Sequence, residues 1–351
     1  MAERFRRALA RGRLATTFLF VGPPGVGKRA FALKLAESLF CQTRPAERLA
    51  PCGECSGCVQ TRAGSHPDLH IVAKPADRGF IPVAAFIGDD EHRMREGLCH
   101  DIALKPYMGG RRVAIIDDAD FLNEEGANAL LKTLEEPPPK SVLILIGTSA
   151  ERQLPTIRSR AQIVRFSPLD EQVVARLLVE RSGVAAAEAA RLAALSEGSL
   201  ERAAEMADPD LWAFRSRLLG DLSTRPLPSV ALAQDLEAFV NDAGAEASRR
   251  RARARQTMAL ALQFFRQALR ESVEAGSDAD PELTRALERS RAAWGVVPDA
   301  PLALVERTLA ALAHIERNAN QSTLIACWLD DLARIVDTGR APSPFEPAAY
   351  V

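Results

Sequence analysis

The chain has 351 residues, 47% of them apolar and 26% charged. That composition excludes a globally disordered protein and supplies enough apolar material for two or three cores. A formal net charge of −1 excludes a protein that grips nucleic acid over its whole surface, so any such contact is a local patch or is shared with partners. Aromatic residues make up 5%, too few for a base-stacking platform.

In the first 22 residues several arginines precede an apolar run, a superficial likeness to a signal peptide. The run Phe18–Val21 is too short for that, and Gly22-Pro23-Pro24-Gly25 follows it. Thr17 to Val21 therefore reads as a short buried strand. No later stretch is long enough to span a bilayer, and the expectation is a cytoplasmic protein with no membrane contact.

The strand runs into Gly22-Pro23-Pro24-Gly25-Val26-Gly27-Lys28-Arg29, a G-x-x-x-x-G-K phosphate loop. Gly22, Gly25 and Gly27 shape its backbone, whose N–H groups, with Lys28, are placed to hold the phosphates of ATP or ADP. The next position ordinarily offers a Ser or Thr hydroxyl to Mg²⁺. Arg29 stands there, and a guanidinium has no acceptor atom with which to ligate a metal. The frame of a nucleotide switch is present with a damaged metal site.

Lys28 to Phe40 reads as a helix, with Phe31, Leu35, Ala36, Leu39 and Phe40 on the face that packs on a sheet. Four of the six cysteines follow, as Cys41-x10-Cys52-x2-Cys55-x2-Cys58. Four thiolates at this spacing can close a tetrahedral Zn²⁺ site in an inserted knuckle over 41–65. An iron–sulfur cluster is the competing reading, disfavoured because the C-x3-C-P continuation is absent after Cys58. Four thiolates leave no open position for water, so the zinc is expected to be structural. Cys99 and Cys327 read as buried small apolar residues; His66 and His70 lie near enough in sequence to be ligands, but four cysteines suffice and turn or surface roles are the reading for both.

Further along, Leu69 to Val72 reads as a strand, Asp89 to Leu104 as a helix and Pro106 to Gly110 as a turn. Arg112 to Ile116 is an apolar run ending in Asp117-Asp118-Ala119-Asp120, the way a buried parallel strand delivers carboxylates to its ligand-binding edge. Asn123 is placed to cap a helix through Glu136 that Pro137-Pro138-Pro139 stops. Ser141 to Ile146 is another central strand, ending at Gly147-Thr148-Ser149. Strand, helix, strand with the phosphate loop upstream predicts an α/β fold with a doubly wound parallel sheet.

Past Phe166 the strands cease. Residues 169–208 read as a small helical unit broken at Glu197-Gly198-Ser199. Residues 209–337 form several helices, broken at 224–228, at 276–281 and near 298–301. The run Arg249-Arg250-Arg251-Ala252-Arg253-Ala254-Arg255 reads first as a solvated face or subunit contact and second as a phosphate contact.

Several blocks occur together in one family: Leu104-Lys105-Pro106-Tyr107-x-Gly109-Gly110-Arg111, the acidic strand end at 117–120, Asn128 to Pro138 (NALLKTLEEPP), and Leu154-Pro155-Thr156-Ile157-Arg158-Ser159-Arg160. With the phosphate loop and the cysteine knuckle, this pattern strongly resembles the AAA+ clamp-loader subunits of bacterial DNA polymerase III, and the delta-prime type above the others. The likeness is dense over 15–167, fair over 168–208 and thin beyond, apart from Arg317-Asn318-Ala319-Asn320.

The resemblance implies an AAA+ domain at 1–167 carrying the knuckle, a helical lid at 168–208 and an all-α collar at 209–338; the proline-bearing tail at 339–351 reads from its residues as loose. It implies a ring that opens a sliding clamp and places it on primed DNA, with gamma/tau and delta subunits as partners. DNA is met through that complex. In such a ring the delta-prime type acts as a stator, and the gamma or tau motors hydrolyse ATP.

Residue by residue, the likeness implies that Asp117 is the Walker B metal aspartate. Asp118 stands where motors keep a glutamate, one methylene short in reach. Thr148 or Ser149 sits at the sensor-1 strand end. In Gly198-Ser199-Leu200-Glu201-Arg202-Ala203, which resembles the start of the sensor-2 helix, the arginine is displaced one step to Arg202, about 100° round the helix. Loss of the metal hydroxyl, a shortened carboxylate and a displaced arginine each weaken stabilisation of charge at the γ-phosphate. The expectation is poor or absent hydrolysis, with ADP or ATP held weakly. Arg160 matches the arginine that reaches a neighbour's ATP as a finger in trans, with Ala161 in place of the family's cysteine; the plainer reading of the same arginine is a surface salt bridge. The alternatives are a gamma/tau-like motor that turns over ATP itself, and a zinc-dependent nucleic-acid binder that the near-zero charge makes weakest.

Overall fold

The structure, a computed structural model, describes residues 1–75, 78–108, 110–273, 280–294, 300–317 and 319–340. The chain forms two compact units, 1–204 and a second beginning at Glu205. In the first, α1 (Ala2–Ala10) leads to β1 (Thr17–Val21), α2 (Lys28–Phe40), α3 (Ser56–Ala63), β2 (Leu69–Val72), α4 (Ala84–Ile87), α5 (Leu98–Ala103) and β3 (Arg112–Ile116). Then come α6 (Glu124–Glu135), β4 (Ser141–Gly147), α7 (Pro155–Arg158), β5 (Gln162–Arg165), α8 (Glu171–Ser182), α9 (Ala186–Leu195) and α10 (Leu200–Glu205).

The five strands form one parallel sheet in the order β2-β3-β4-β1-β5. Every residue of β1, β3 and β4 is buried, because helices cover both faces of a parallel sheet and leave no solvated side. Alternation along the strands sorts their side chains into two cores. Leu19, Val21, Ala114, Ile116, Leu143 and Leu145 pack with Leu130 and Leu134 of α6. Phe18, Phe20, Val113, Ile115, Val142 and Ile144 pack with Phe5 of α1 and Leu35 and Ala36 of α2. The ends of β1, β3 and β4 are thus held together by strands buried along their whole length.

The helix expected over Asp89–Leu104 does not form as one piece. The chain makes α4 earlier and α5 only from Leu98, because Gly88 (φ 79°) and Gly97 (φ 90°) take left-handed backbone. A Cβ at Gly97 would lie 2.7 Å from the Phe86 carbonyl carbon, so the close approach of the two segments requires glycine there. Asp89 instead accepts the His92 N–H at 2.8 Å in a turn. Asn123 caps α6 by accepting from Gly126 N. The break at 197–199 stands between α9 and α10.

The second unit is all helix in its described residues: α11 (Pro209–Leu222), α12 (Ser229–Asn241), α13 (Ala247–Ser272), α14 (Pro281–Trp294), α15 (Ala300–Glu316) and α16 (Gln321–Thr338). Trp328 is fully buried and donates to Thr308 Oγ1 at 3.2 Å. Arg215, also buried, binds the carboxylates of Asp280 and Glu282. The break at 224–228 lies between α11 and α12, and Asn320 caps α16 by accepting from Thr323 N at 3.1 Å. The breaks expected at 276–281 and near 298–301 fall largely on residues 274–279 and 295–299, outside the described ones. Asn318 and the tail from 341 lie outside them as well.

The arginine run lies on α13 and is partly used within this unit. Arg253 pairs with Asp208 at 2.9 Å and lies over the Phe239 ring at 4.6 Å, and Arg249 pairs with Glu246 at 3.1 Å. Cys99 is buried, whereas Cys327 is exposed on α16, contrary to the expectation of a packed thiol. Among the described residues no helix is long and apolar enough to cross a membrane.

Candidate functional site

The phosphate loop starts where β1 ends. Gly22 N donates to Thr148 O at 3.0 Å, joining the β1 and β4 ends. A Cβ at Gly22 would stand 2.3 Å from Phe166 O, so only glycine admits the chain leaving β5. Gly25 (φ 72°) is packed on the start of α10: its carbonyl accepts Leu200 N at 3.0 Å, and a Cβ would meet Ser199 Oγ at 2.0 Å. Gly27 (φ 93°) is the N-cap of α2, which aims the helix N-terminus and its partial positive charge at the loop. Lys28 is buried, and its ammonium donates to Gly22 O and Pro23 O at 2.6 Å each. Burial lowers its pKa, against the opposing pull of Asp120, Asp117 and Glu201.

A cavity of about 550 Å³ opens beside the loop, lined by Gly25, Gly27, Lys28, Arg29, Asp117, Asp118, Asp120, Thr148, Arg181 of α8 and Glu201 of α10, among others. The sequence-predicted loop and strand-end residues therefore converge. Two features differ from a working metal–phosphate site. Arg29 Nε lies 3.2 Å from Asp117 Oδ2, so a cation of the chain itself neutralises the carboxylate that a metal would need. The expected Arg202 does not line the cavity. Its guanidinium turns to Glu197 at 2.8 Å, and Glu201 takes the cavity-facing place. The one-residue displacement swings the arginine off that face of the helix and puts a carboxylate where a phosphate-binding cation was expected.

Asp120 had no assigned role in the sequence reading, yet it organises this end of the sheet. Its side chain is almost fully buried. Its Oδ2 accepts Thr148 N at 2.8 Å and Thr148 Oγ1 at 2.6 Å, and its Oδ1 accepts Gln153 Nε2 at 2.6 Å. Thr148 is thereby engaged by the neighbouring strand end. Its signal in the sequence is the third carboxylate of the acidic strand end, two residues past Asp118.

The four cysteines come together. Their Sγ atoms all lie within 4.8 Å of one another, and Cys52 Sγ is 3.8 Å from Cys58 Sγ. Zn–S bonds of about 2.3 Å at tetrahedral angles require S···S separations of about 3.8 Å, so the cluster fits such an ion. Backbone N–H groups of Gln42, Arg44, Cys52, Glu54 and Cys55 point at Cys55, Cys41, Cys41, Cys52 and Cys52 respectively, at 3.3–3.5 Å. Such donors stabilise thiolates. The Thr43 hydroxyl and the Glu54 and Cys55 amides hold Cys52 down to about 5. Burial pushes Cys58 up to about 12. Against the upward push of burial, amides of Cys52, Thr43 and Arg44 bring Cys41 down to about 7.

The knuckle is fastened to the phosphate-loop helix: Arg62 donates to Gly53 O at 3.2 Å and pairs with Glu37 of α2 at 2.9 Å. His66 is buried rather than on the surface, stacked on Phe40 at 3.9 Å, and its Nδ1 accepts Asp68 N at 3.1 Å. His70 lies between Asp101 (3.5 Å) and Arg112 (2.9 Å), away from the cysteines.

Arg160 lies just past α7 on the surface, remote in sequence from the loop. One terminal nitrogen donates to Thr156 O (3.0 Å) and Ser159 Oγ (3.1 Å), the other to Glu135 Oε1 (2.7 Å). It does not line the cavity of its own chain.

Residues 1–170 match the family model described as DNA polymerase III, delta subunit. A DNA polymerase III subunit delta' of Pseudomonas aeruginosa is 41% identical over 150 residues, 43% of this chain and 42% of that one. The corresponding subunit of Bacillus subtilis is 34% identical over 206 residues, 59% of this chain and 58% of that one. A gamma/tau subunit of Mycobacterium tuberculosis is 35% identical over 181 residues, 50% of this chain but 29% of its own. The chain thus spans about half the length of the delta' relatives it matches, and the motif-based resemblance is borne out over that N-terminal part. The delta' matches are the stronger ones, so the motor alternative is not favoured.

Proposed function

We propose that this chain is a delta-prime-type stator subunit of a bacterial clamp loader, part of the DNA polymerase III replication machinery. It would assemble with delta and gamma/tau subunits, act on a sliding clamp at primed DNA, and meet DNA through the complex. The observation that carries the reading is Arg29 at the metal-hydroxyl position and beside Asp117: a guanidinium has no acceptor atom with which to hold a metal, so the pocket is unsuited to efficient hydrolysis. The cavity-facing Glu201 adds to this, since Asp117, Asp118, Asp120 and Glu201 oppose Lys28, Arg29 and Arg181 there and leave no cationic surplus for a triphosphate.

In this reading the loop backbone and Lys28 hold ADP or ATP weakly, and Arg160 is lent to the triphosphate of a neighbouring motor. Cys41, Cys52, Cys55 and Cys58 hold a structural Zn²⁺, supported by the sulfur spacing and by the inward amides. A division into an AAA+ domain to 167, a lid to 208 and a collar to 338 is part of the same proposal.

The test mixes the chain with delta and gamma subunits, clamp and primed DNA, and compares stimulated ATP turnover for the wild type and Arg160→Ala. A finger in trans is worth roughly 10³–10⁵ in related switch ATPases, so turnover at the adjoining site should all but vanish. Unchanged turnover would refute the reading. So would brisk hydrolysis by the purified chain alone that Lys28→Ala abolishes.

A further inference from the structure

Arg160 has both terminal nitrogens engaged by its own chain. One is held by Thr156 O and Ser159 Oγ, the other by Glu135 at 2.7 Å. The first two acceptors belong to the same turn and move with the arginine. Glu135 does not: it is the last residue of α6, a separate element on the other side of the Pro137–Pro139 stop. A guanidinium in this state cannot offer a two-pronged fork to a phosphate, because the outer prong already binds a carboxylate. The same carboxylate, with its side chain half exposed, would also repel an approaching triphosphate.

We propose that Glu135 is a latch for Arg160: it parks the guanidinium while the chain is free and releases it when a neighbour's triphosphate competes for the outer prong. This rests on the reading of Arg160 as a finger in trans. Glu135 is then a positioning residue that touches no substrate. An exposed pair of this kind is weak enough to be displaced, which a latch requires, whereas a buried pair would not open. Salt screens exposed pairs, so the latch should also loosen as ionic strength rises.

The experiment uses the assembled complex of full-length chains and measures the apparent KM for ATP and kcat with wild type, Glu135→Gln, Glu135→Ala, Arg160→Ala and the Glu135→Ala/Arg160→Ala double variant. Glu135→Ala should lower the apparent KM by roughly two- to fivefold with kcat little changed, the span of an exposed ion pair. Glu135→Gln should fall between, because its amide oxygen still accepts one hydrogen bond. The gain should shrink at high salt and be absent in the double variant. A raised KM or a reduced kcat in Glu135→Ala would overturn the latch and make the glutamate a support for the finger. Unchanged kinetics in Glu135→Ala, with a strong defect in Arg160→Ala, would overturn the latch alone. No effect of Arg160→Ala would overturn the finger reading, and the latch with it. Because both side chains are exposed, unchanged thermal melting serves as the folding control.

Discussion

Replacing Arg29 by threonine is the sharpest probe of the phosphate site. In the wild type its guanidinium sits 3.2 Å from Asp117, with the arginine side chain 61% exposed. A pair that exposed is worth at most about 1 kcal/mol once solvent screening is included, so Arg29→Thr should leave melting nearly unchanged. The substitution supplies the missing hydroxyl and frees Asp117 to hold a metal. One charge-assisted interaction of this kind contributes about 1.5–3 kcal/mol, or roughly 10- to 100-fold in affinity. A fluorescent ADP analogue titrated in Mg²⁺ and again in excess chelator should therefore show a gain of that size in Mg²⁺ alone. Turnover should stay low, because Asp118 remains short and Glu201 still faces the cavity. A wild-type chain that already binds nucleotide tightly and only with Mg²⁺ would refute the reasoning. So would an Arg29→Thr gain of equal size in chelator.

Further predictions concern packing, the cysteines and a buried histidine. Gly25→Ala places a Cβ 2.0 Å from Ser199 Oγ and 2.8 Å from Glu201 Cβ at φ 72°. Left-handed strain and overpacking together should cost about 2–4 kcal/mol, and a denaturant-midpoint shift equivalent to under about 1 kcal/mol would contradict the contact. Elemental analysis should find about one zinc per chain, as a four-thiolate site requires, and chelation or Cys55→Ser should lower the melting temperature. A metal-free protein of unchanged stability would count against the structural role. Zinc uptake near pH 7 should release protons from the cluster, chiefly from Cys58, whose thiol burial holds well above the ordinary range. Affinity should accordingly fall about tenfold per released proton for each unit that pH drops. Binding that is flat from pH 8 to 6 would exclude that assignment.

His66 offers an independent pH readout. Its pKa is lowered mainly by burial, so its neutral ring favours the folded state. The stabilisation is complete above the ordinary value of about 6.5 and is lost as pH falls from there toward the folded value. His66→Phe should flatten that acid limb of the melting curve, and an unchanged limb would argue against a buried neutral ring.

Much of this molecule was readable along the chain because its signals are local. Apolar runs marked β1, β3 and β4, since strands buried on both faces need no alternation. Asn123 and the three prolines bounded α6, and the cysteine spacing announced a cluster whose sulfurs do lie within reach of one ion. β5 escaped notice, being short with half-exposed or exposed side chains at the sheet edge. So did α1, whose two buried apolar residues sit among arginines, and the split of 89–104 into turn and helix turned on two glycines in left-handed backbone.

The composition of the phosphate loop was likewise a matter of sequence, and with it the missing metal hydroxyl. Which groups face one another across the sheet edge was decided by tertiary packing alone. Arg29 meets Asp117 only because the sheet brings the ends of distant segments together. Glu201 rather than Arg202 faces the cavity because α10 docks on Gly25 in one rotation about its axis. Arg160 meets Glu135 only where α7 lies against the end of α6. Periodicity fixes which face of an element is apolar, but a charged side chain finds its partner through the register in which whole elements pack, and that register depends on contacts spread across both cores.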